Sequence, residues 1–545
     1  MTVSDTPAVH RDQRGATGTR QARVLVADQL ADAGVEILRS EAQVSVQTGL
    51  LPAQLLEIIG DFDALVVRSA TKVTKEVLDA GRNLRIVARA GVGVDNVDVE
   101  EATRKGIVVV NSAGGSTFAA TEHTIAVLLA LARNVPQAMH SLQQGEWTPS
   151  KFVGMELRGK TLGVVGLGRI GTQVARRALA FEMRVIATDP FISREHAESN
   201  GVELVPLDRL LAESDVVSLH APLNPQNSDL MGTAEFSRMK PGALLVNCAR
   251  GGLLDEAALR QALDLGQLGG AALDVYQQEP PTNSPLIGHP KVITTPHLAA
   301  SSREAQQEVA TDVARLVLAC LRGEHVSGAV NAPLRVAGDI EFIEPYLRLA
   351  EKLGQAMTQL TEARLETVEL TYAGELAAHD VTPLTAAVIK GLLATISEQR
   401  VNLINARLVA RSRGLNVLEQ KADRPEANYA NLITVTVREN GNRRAVAGTI
   451  IGDALRLVRI DDYWVDVIPE GHVLVTQHLD RPGMIGRVGS LLGDGDVNIS
   501  AMQVGRRVLR GDAIMILNLD EPLSKELEAQ ITAIPDVRSV KQVSL

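Results

Sequence analysis

The feature that most constrains this chain is a glycine turn set between a strand and a helix. From Thr161 to Gly171 it reads TLGVVGLGRIG. The apolar run 162–165 has the length of a buried strand, and Arg169 and Ile170 open a helical pattern. Gly166, Gly168 and Gly171 fall at G-x-G-x-x-G spacing. The first permits a tight turn, the second lets a pyrophosphate approach bare backbone, and the third lets the helix lie close to its strand. The new helix offers unpaired N–H groups and a positive dipole end to phosphate. Beyond a second apolar run, 183–187, comes Asp189, 18 residues after Gly171. A carboxylate there accepts both ribose hydroxyls of an adenosine and repels a 2′-phosphate, which selects NAD over NADP. Alone the glycine spacing is a weak signal; bracketed by strand, helix and acid it specifies a dinucleotide-binding unit.

The chain has 545 residues, enough for about three or four domains at roughly 100–200 residues each. Its net charge of −10 argues against nucleic acid or an anionic membrane as main partner, so local cations must hold any anionic substrate. Aromatics at 3% are too few for stacking platforms on single strands. The longest apolar stretch, 125–132, is too short to span a bilayer. Cys248 and Cys320 show neither a disulfide framework nor a metal-ligand spacing, and no metal is expected; the cysteine usage fits a reducing cytoplasm. Residues 1–20 are polar, without the apolar core of a signal peptide, and read as a disordered tail.

From residue 23 to 110, short apolar runs (VLVA, QVSVQ, ALVV, RIVA, IVVV) alternate with helical patterns, the signature of a parallel sheet with crossover helices. Residues 117–144 read as one long helix leading into the glycine-loop unit, whose later strands are DVVSLH, ALLVN, GGAALDV and VITT. Ser301 and Glu304 have capping-box spacing for a helix ending at Gly323. That helix is expected to return to the first unit, so that the cofactor unit is inserted in it and the active site lies in the cleft between them. The fold class is thus α/β, with two doubly wound parallel-sheet domains. Residues 21–117 and 301–332 form the first domain and 118–300 the second. Residues 333–470 read as a separate α+β domain: a helix at 340–360, a strand in TVELTYAGEL, two helical segments, and an antiparallel set ITVTV, RRAVAGTII and ALRLVRI. Residues 471–545 read β-α-β-β-α-β, a ferredoxin-like unit, with DRPG (480–483) as a tight turn.

In open α/β sheets, ligands sit beyond the carboxyl ends of strands. Arg68 and Ser69 follow ALVV; Arg89 follows RIVA at the head of RAGVG; both arginines are placed to meet an anion. Arg250 follows ALLVN, Glu279 follows the LDV strand, and His297 follows VITT. Hydride transfer from a 2-hydroxy acid needs a cation fork for carboxylate and carbonyl, a base for the hydroxyl proton, and a group that tunes the base. Arginine binds oxygens bidentately, histidine titrates near neutrality, and a nearby glutamate raises its pKa by stabilising imidazolium. Taken singly, a histidine is more often a cap or core residue, and a glutamate before proline an ordinary loop acid. The three together, at one end of one nucleotide-binding sheet, make a site.

GLGRIG, NCARGG, ALDVYQQEPP and TPHLAAS resemble the signatures of the D-isomer-specific 2-hydroxyacid dehydrogenases. VVRSATKV, RAGVGVDNVD and the two C-terminal domains resemble the long-form phosphoglycerate dehydrogenase branch of that family, over residues 23–545. The resemblance implies NAD-dependent oxidation of 3-phospho-D-glycerate to 3-phosphooxypyruvate, the first step of L-serine synthesis, with Arg250, Glu279 and His297 as the catalytic set. It implies that Arg169, Ile170, Asp189, Ala221, Cys248, Ala249, Asp274 and Ala300 join the three glycines, Arg250 and His297 around NAD, with Asp274 bonding the nicotinamide amide. It implies that Arg68, Ser69, Arg89 and the backbone at Val92 and Gly93 face the substrate's carboxylate or phosphate. Some relatives carry threonine where this chain has Val92 and Ala221, so those contacts are backbone here. The C-terminal domains resemble an intervening, allosteric domain and an ACT regulatory domain. His478, Asp480 and Asn498 match an L-serine effector site at an ACT interface, in a homo-oligomer, dimer or tetramer. The alternatives are a hydroxypyruvate- or glyoxylate-type reductase and an NAD-sensing scaffold of the corepressor kind.

Overall fold

Four-residue and five-residue runs with no polar face are stable only when covered on both sides, and the N-terminal part of the chain uses them to build two all-parallel sheets. The computed structural model describes residues 20–112, 114–324, 326, 328–332, 340–361, 365–397, 400–439 and 442–545. All but Arg20 of the expected N-terminal tail, and the junction at 333, lie outside the described residues.

The first sheet has five strands, in the order Gln43–Val46, Arg23–Val26, Ala64–Val67, Ile86–Arg89, Val108–Asn111. Every neighbouring pair is parallel. One face packs Val24, Val66 and Ala88 against Val309, Val313 and Val317 of the helix Arg303–Arg322; the other packs Leu25, Leu65 and Val87 against Leu55 and Val77. The return of the late helix to the first sheet is thus as the sequence suggested. Its cap is one residue later than expected. Ser302, not Ser301, is the N-cap, and its side chain accepts from the Ala305 amide. Gly323 ends the helix in the left-handed region, φ 81°.

The second sheet has seven parallel strands, ordered Val292–Thr294, Leu268–Leu273, Ala243–Asn247, Val216–Leu219, Thr161–Val165, Arg184–Thr188, Glu203–Leu204. The helices Thr117–Ala132 and Arg169–Ala180 cover one face through Leu128, Leu131, Val174 and Ala178. The single helix expected over 117–144 is two. Asn134 turns left-handed at φ 52°, and a second helix, Val135–Gln143, restarts with Pro136 in its first turn, where a missing N–H costs nothing.

The third sheet has six strands, ordered Asn416–Ala422, Thr367–Gly374, Asn431–Glu439, Asn442–Ile451, Ala454–Ile460, Tyr463–Val467. It is mixed rather than wholly antiparallel: the edge strand Asn416–Ala422 runs parallel to Thr367–Gly374. That strand escapes sequence reading because its side chains are mostly exposed and carry no alternation. The C-terminal sheet is antiparallel, ordered Ile499–Arg506, Asp512–Leu519, His472–Leu479, Val537–Ser544, with helices Met484–Asp494 and Lys525–Thr532 on one face. This is the expected β-α-β-β-α-β order. Its other face is not solvated. Val473, Val475, Ile514, Ile516 and Val543 share one core with Leu349, Leu353 and Met357 of the helix Ile340–Leu360.

Candidate active site

The glycine loop has the geometry its spacing demands. Gly166 sits at φ 93°, a conformation side chains resist, and a Cβ on it would also strike the His220 carbonyl and the Ala221 amide. A Cβ on Gly171 would collide with the Gly166 carbonyl oxygen, so the helix can lie this close only with glycine there. Gly168 caps the helix and faces open space, which leaves backbone accessible where a pyrophosphate would lie. Arg169 is exposed in the first turn, and Ile170 lines the cleft between the two sheets. Val165 pairs with Thr188, so Gly166 and Asp189 leave their strands side by side. Asp189 accepts from the Leu167 amide at 2.8 Å and the Phe191 amide at 2.9 Å, one bond per oxygen, which leaves each oxygen a lone pair for a ribose hydroxyl. These residues fit a dinucleotide without a 2′-phosphate.

A cleft of about 930 Å³ lies between the carboxyl ends of the two parallel sheets. Arg68, Ser69, Arg89, Val92 and Gly93 enter it from the first sheet, and Cys248, Arg250, Glu279, His297 and Ala300 from the second. Arg89 is the last residue of its strand, and its Nε is buried without a hydrogen-bond partner. Burial, and then the neighbouring charges of Arg250 and Arg68, hold its pKa below the ordinary guanidinium value. Three like charges gathered in one cleft, one with an unused donor, can take an anion. Arg68 is fixed by Asp28, which is 6% exposed and accepts from the Arg68 amide at 2.6 Å and the Thr71 hydroxyl at 2.7 Å. The Val92 carbonyl accepts from the Asn111 side chain, and a Cβ on Gly93 would run into the Arg250 guanidinium. Arg250 pairs through Nε with exposed Asp95 at 3.3 Å and donates from Nη1 to the Ala249 carbonyl. Its turn is built on Asn247, fully buried, which accepts from the Ala249 amide and donates to the Arg250 carbonyl. Burial pushes the Cys248 thiol up to about 12, so it stays protonated.

His297 Nδ1 lies 2.7 Å from Glu279 Oε2. That bond raises the His297 pKa against the opposing effect of burial. For Glu279, burial alone would raise the pKa, but the bond and charge of His297 outweigh it and the net direction is down. Glu279 is aimed by its other oxygen, which accepts from the Tyr276 amide at 3.2 Å. His297 itself is left-handed, φ 53°, a region uncommon outside glycine and associated with functional strain. Asp274 lies behind it, 0% exposed. Its carbonyl accepts from the His297 amide, and its carboxylate accepts from the Leu298 and Ala299 amides at 2.7 and 2.8 Å and from the Thr295 hydroxyl at 2.6 Å. The carboxylate expected to meet a nicotinamide amide is therefore closed from solvent and bonded to the turn that carries His297.

The three residues expected at an effector site do not converge within one chain. His478 and Asp480 lie at one end of the C-terminal sheet, since His478 pairs with Ala513 and Leu479 with Asp512. Asn498 precedes the strand whose Ile499 pairs with Leu519, at the end where His472 begins. Six residues of strand separate the two ends, about 20 Å at roughly 3.3 Å per residue. His478 is 2% exposed with an unpartnered Nδ1; Asp480 binds Arg506 at 2.9 Å; Asn498 donates to Asp520 at 2.6 Å.

Sequence reading missed Asp28, Asn247, Asp95 and Tyr276. Asp28 and Asn247 left a signal: each is a polar residue ending or directly following a fully apolar run, where burial demands a partner. Asp95 and Tyr276 left none.

Two parallel sheets with a glycine loop, an arginine cluster and a histidine–glutamate pair in the cleft between them define the class of two-domain, dinucleotide-dependent dehydrogenases. Residues 125–299 match the family model of the D-isomer specific 2-hydroxyacid dehydrogenase NAD binding domain, 342–461 that of the D-3-phosphoglycerate dehydrogenase intervening domain, and 472–536 that of the ACT domain. The chain is 44% identical over 526 residues to D-3-phosphoglycerate dehydrogenase of Synechocystis, covering 96% of this chain and 95% of that one. It is 44% identical over 524 residues to the protein of that name from Methanocaldococcus jannaschii, covering 96% and 100%. Among solved structures, it resembles D-lactate dehydrogenase from Aquifex aeolicus complexed with NAD and lactic acid, at TM-score 0.51 and 28% identity, over 55% of this chain and 96% of that one. The chain belongs to the D-3-phosphoglycerate dehydrogenase family, and its cofactor is NAD.

Proposed function

We propose that this chain oxidises 3-phospho-D-glycerate to 3-phosphooxypyruvate with NAD, the first step of L-serine synthesis. The observation that carries the reading is the His297–Glu279 pair sharing one cleft with three arginines, one of which has an unused buried donor. Gly166, Gly168, Arg169, Ile170, Gly171, Asp189, Ala221, Cys248, Ala249 and Ala300 hold the cofactor. When bound, NAD supplies the hydride acceptor for C2. Arg250 holds the substrate carboxylate and the developing C2 carbonyl, displacing Asp95. Arg68, Ser69 and Arg89 take the phosphate, with the Val92–Gly93 backbone beside them. With Nδ1 committed to Glu279, His297 takes the C2 hydroxyl proton at Nε2, and Glu279 holds the imidazolium that results.

The test is steady-state turnover of 3-phosphoglycerate. His297→Ala is expected to lower kcat by about 10²–10⁴-fold, the usual worth of a general base. Arg89→Ala is expected to raise KM for 3-phosphoglycerate far more than for glycerate. A His297→Ala enzyme within a few-fold of the parent overturns the base assignment. Equal effects of Arg89→Ala on the two substrates overturn the phosphate assignment.

We propose the domain division 21–117 with 301–332, 118–300, 333–470 and 471–545. It is supported by the helices Thr117–Ala132 and Arg303–Arg322, which pack on different sheets. A homo-oligomer is supported by exposed large apolar side chains on and just after the helix Val135–Gln143: Met139, Leu142, Trp147 and Val153, Trp147 by 80%. L-Serine as effector is supported by the ACT match and by buried His478, whose Nδ1 has no partner. A cytoplasmic setting is supported by two free, buried cysteines. Among the described residues no helix is long and apolar enough to cross a membrane.

A further inference from the structure

A second histidine stands behind the proposed base. His123 lies on the helix Thr117–Ala132, which packs against the second sheet, and its Nε2 is 3.3 Å from both Asp274 Oδ1 and Thr295 Oγ1. A carboxylate only accepts, and the Thr295 hydroxyl already donates to it, so the hydrogen on His123 must sit on Nε2 and point at this pair. Asp274 thus receives Thr295 and two backbone amides, with the His123 N–H shared between its Oδ1 and Thr295 Oγ1, and three of those four donors belong to residues 295–299, the turn that carries His297 at φ 53°. A buried carboxylate short of one donor is costly, and here the shortfall would be relieved by moving that turn.

We infer that His123 is a positioning residue for the dehydrogenase reaction: by completing the shell of Asp274 it holds the turn that presents the His297 imidazole to the substrate. This rests on His297 being the base. Burial opposes the charge on Asp274, yet its pKa is lowered, with the His123 bond the largest cause in that direction. The charged groups facing His297 are Glu279, Asp274 and Arg250. Asp274 also faces the Cys248 thiol and the Tyr276 phenol, each pushed up to about 12 by burial and so neutral. His123 therefore reaches the base through Asp274 and Thr295, with no direct contact to His297 itself.

The experiment compares His123→Gln, His123→Asn and His123→Phe in the full chain, by kinetics of 3-phosphoglycerate oxidation across pH and by thermal unfolding. Glutamine keeps a donor within reach of Asp274; asparagine is too short; phenylalanine fills the space without a donor. The Asn and Phe variants are expected to lose about tenfold or more in kcat, since sub-ångström to 1 Å misplacement of a reacting group has effects up to about 10²-fold. KM for 3-phosphoglycerate is expected to stay within about threefold, because the arginine cluster is untouched. Their kcat/KM profile is expected to shift to lower pH, as the Glu279 contact that raises the His297 pKa loosens. The Gln variant is expected to restore kcat to within about threefold of the parent. If Phe does not fold, the Asn and Gln pair decides alone. The inference is overturned if Asn matches the parent in kcat and pH profile, if Gln is as impaired as Asn, or if only the unfolding temperature moves. His297→Ala as a control separates the two readings: if it is inactive while every His123 variant is fully active, the positioning role fails and the base stands.

Discussion

At the residue scale, the chemistry depends on how one imidazole is charged. The Glu279 bond holds the His297 pKa above its ordinary value, so the neutral form that accepts a proton appears only at more alkaline pH. Oxidation is therefore expected to rise with pH through an apparent pKa above about 6.5, the unperturbed histidine value, and the reverse reduction to fall over the same range. Glu279→Gln is expected to move that pKa down, towards or below the ordinary value, and to lower kcat; a profile that stays in place overturns the assignment of Glu279. The same pair enters stability with a definite sign. The raised His297 pKa contributes below about 6.5 and is lost as pH rises through the folded value, and the lowered Glu279 pKa contributes above about 4.3 and is lost as pH falls through the folded value. The pair supports the fold most fully between those two limits. The residue types were legible in the sequence: Arg250, Glu279 and His297 each follow a strand of one sheet. Their contact was not, because it depends on the left-handed backbone of His297 and on a buried carboxylate 23 residues before it.

At the scale of elements, buried strands are legible in the sequence and helix ends less so. A run such as ALLVN or ALVV has one stable fate, burial between two layers, whereas a helix end is decided by which of several small polar residues reaches an amide. Ser301 and Ser302 offered two caps, and only Ser302 has its hydroxyl on an N3 amide, that of Ala305. Ser302→Ala is expected to cost about 0.5–2 kcal/mol of unfolding free energy, while Ser301→Ala costs little. Denaturant unfolding of the two variants checks this, and equal effects refute the cap assignment. The break at Asn134 follows the same logic. Pro136 two residues later was visible, but helical spacing on either side of it hides a left-handed residue between two helices. The edge strand Asn416–Ala422 was unreadable because an exposed edge requires no apolar pattern.

At the scale of the whole molecule, the C-terminal sheet is bound on both faces, by its own helices and by the core of the preceding domain. Gln359 also bonds the backbone of Ser544, tying the helix Ile340–Leu360 to the last strand. The ACT sheet and the third domain thus share one set of packed side chains. That domain in turn meets the first, where Asn402 donates to the Gly106 carbonyl at 2.6 Å. Because His478 and Asn498 lie at opposite ends of one sheet, a serine site that uses both must draw them from two chains. Mixed oligomers of His478→Ala and Asn498→Ala chains are then expected to recover part of the serine binding that each homo-oligomer lacks, measured by calorimetry. No recovery on mixing refutes a shared site.

The sequence by itself determined the parallel sheets, the dinucleotide loop, the carboxylate that follows the loop's next strand and the family, because each is a local pattern whose spacing has one physical use. Only the tertiary structure decided that three arginines crowd one cleft, that Asp274 is turned inward onto the turn carrying the left-handed His297, and that His478 and Asn498 stand apart. Those facts arise where side chains from distant segments compete for the same buried donors and acceptors, and no spacing along the chain records the outcome.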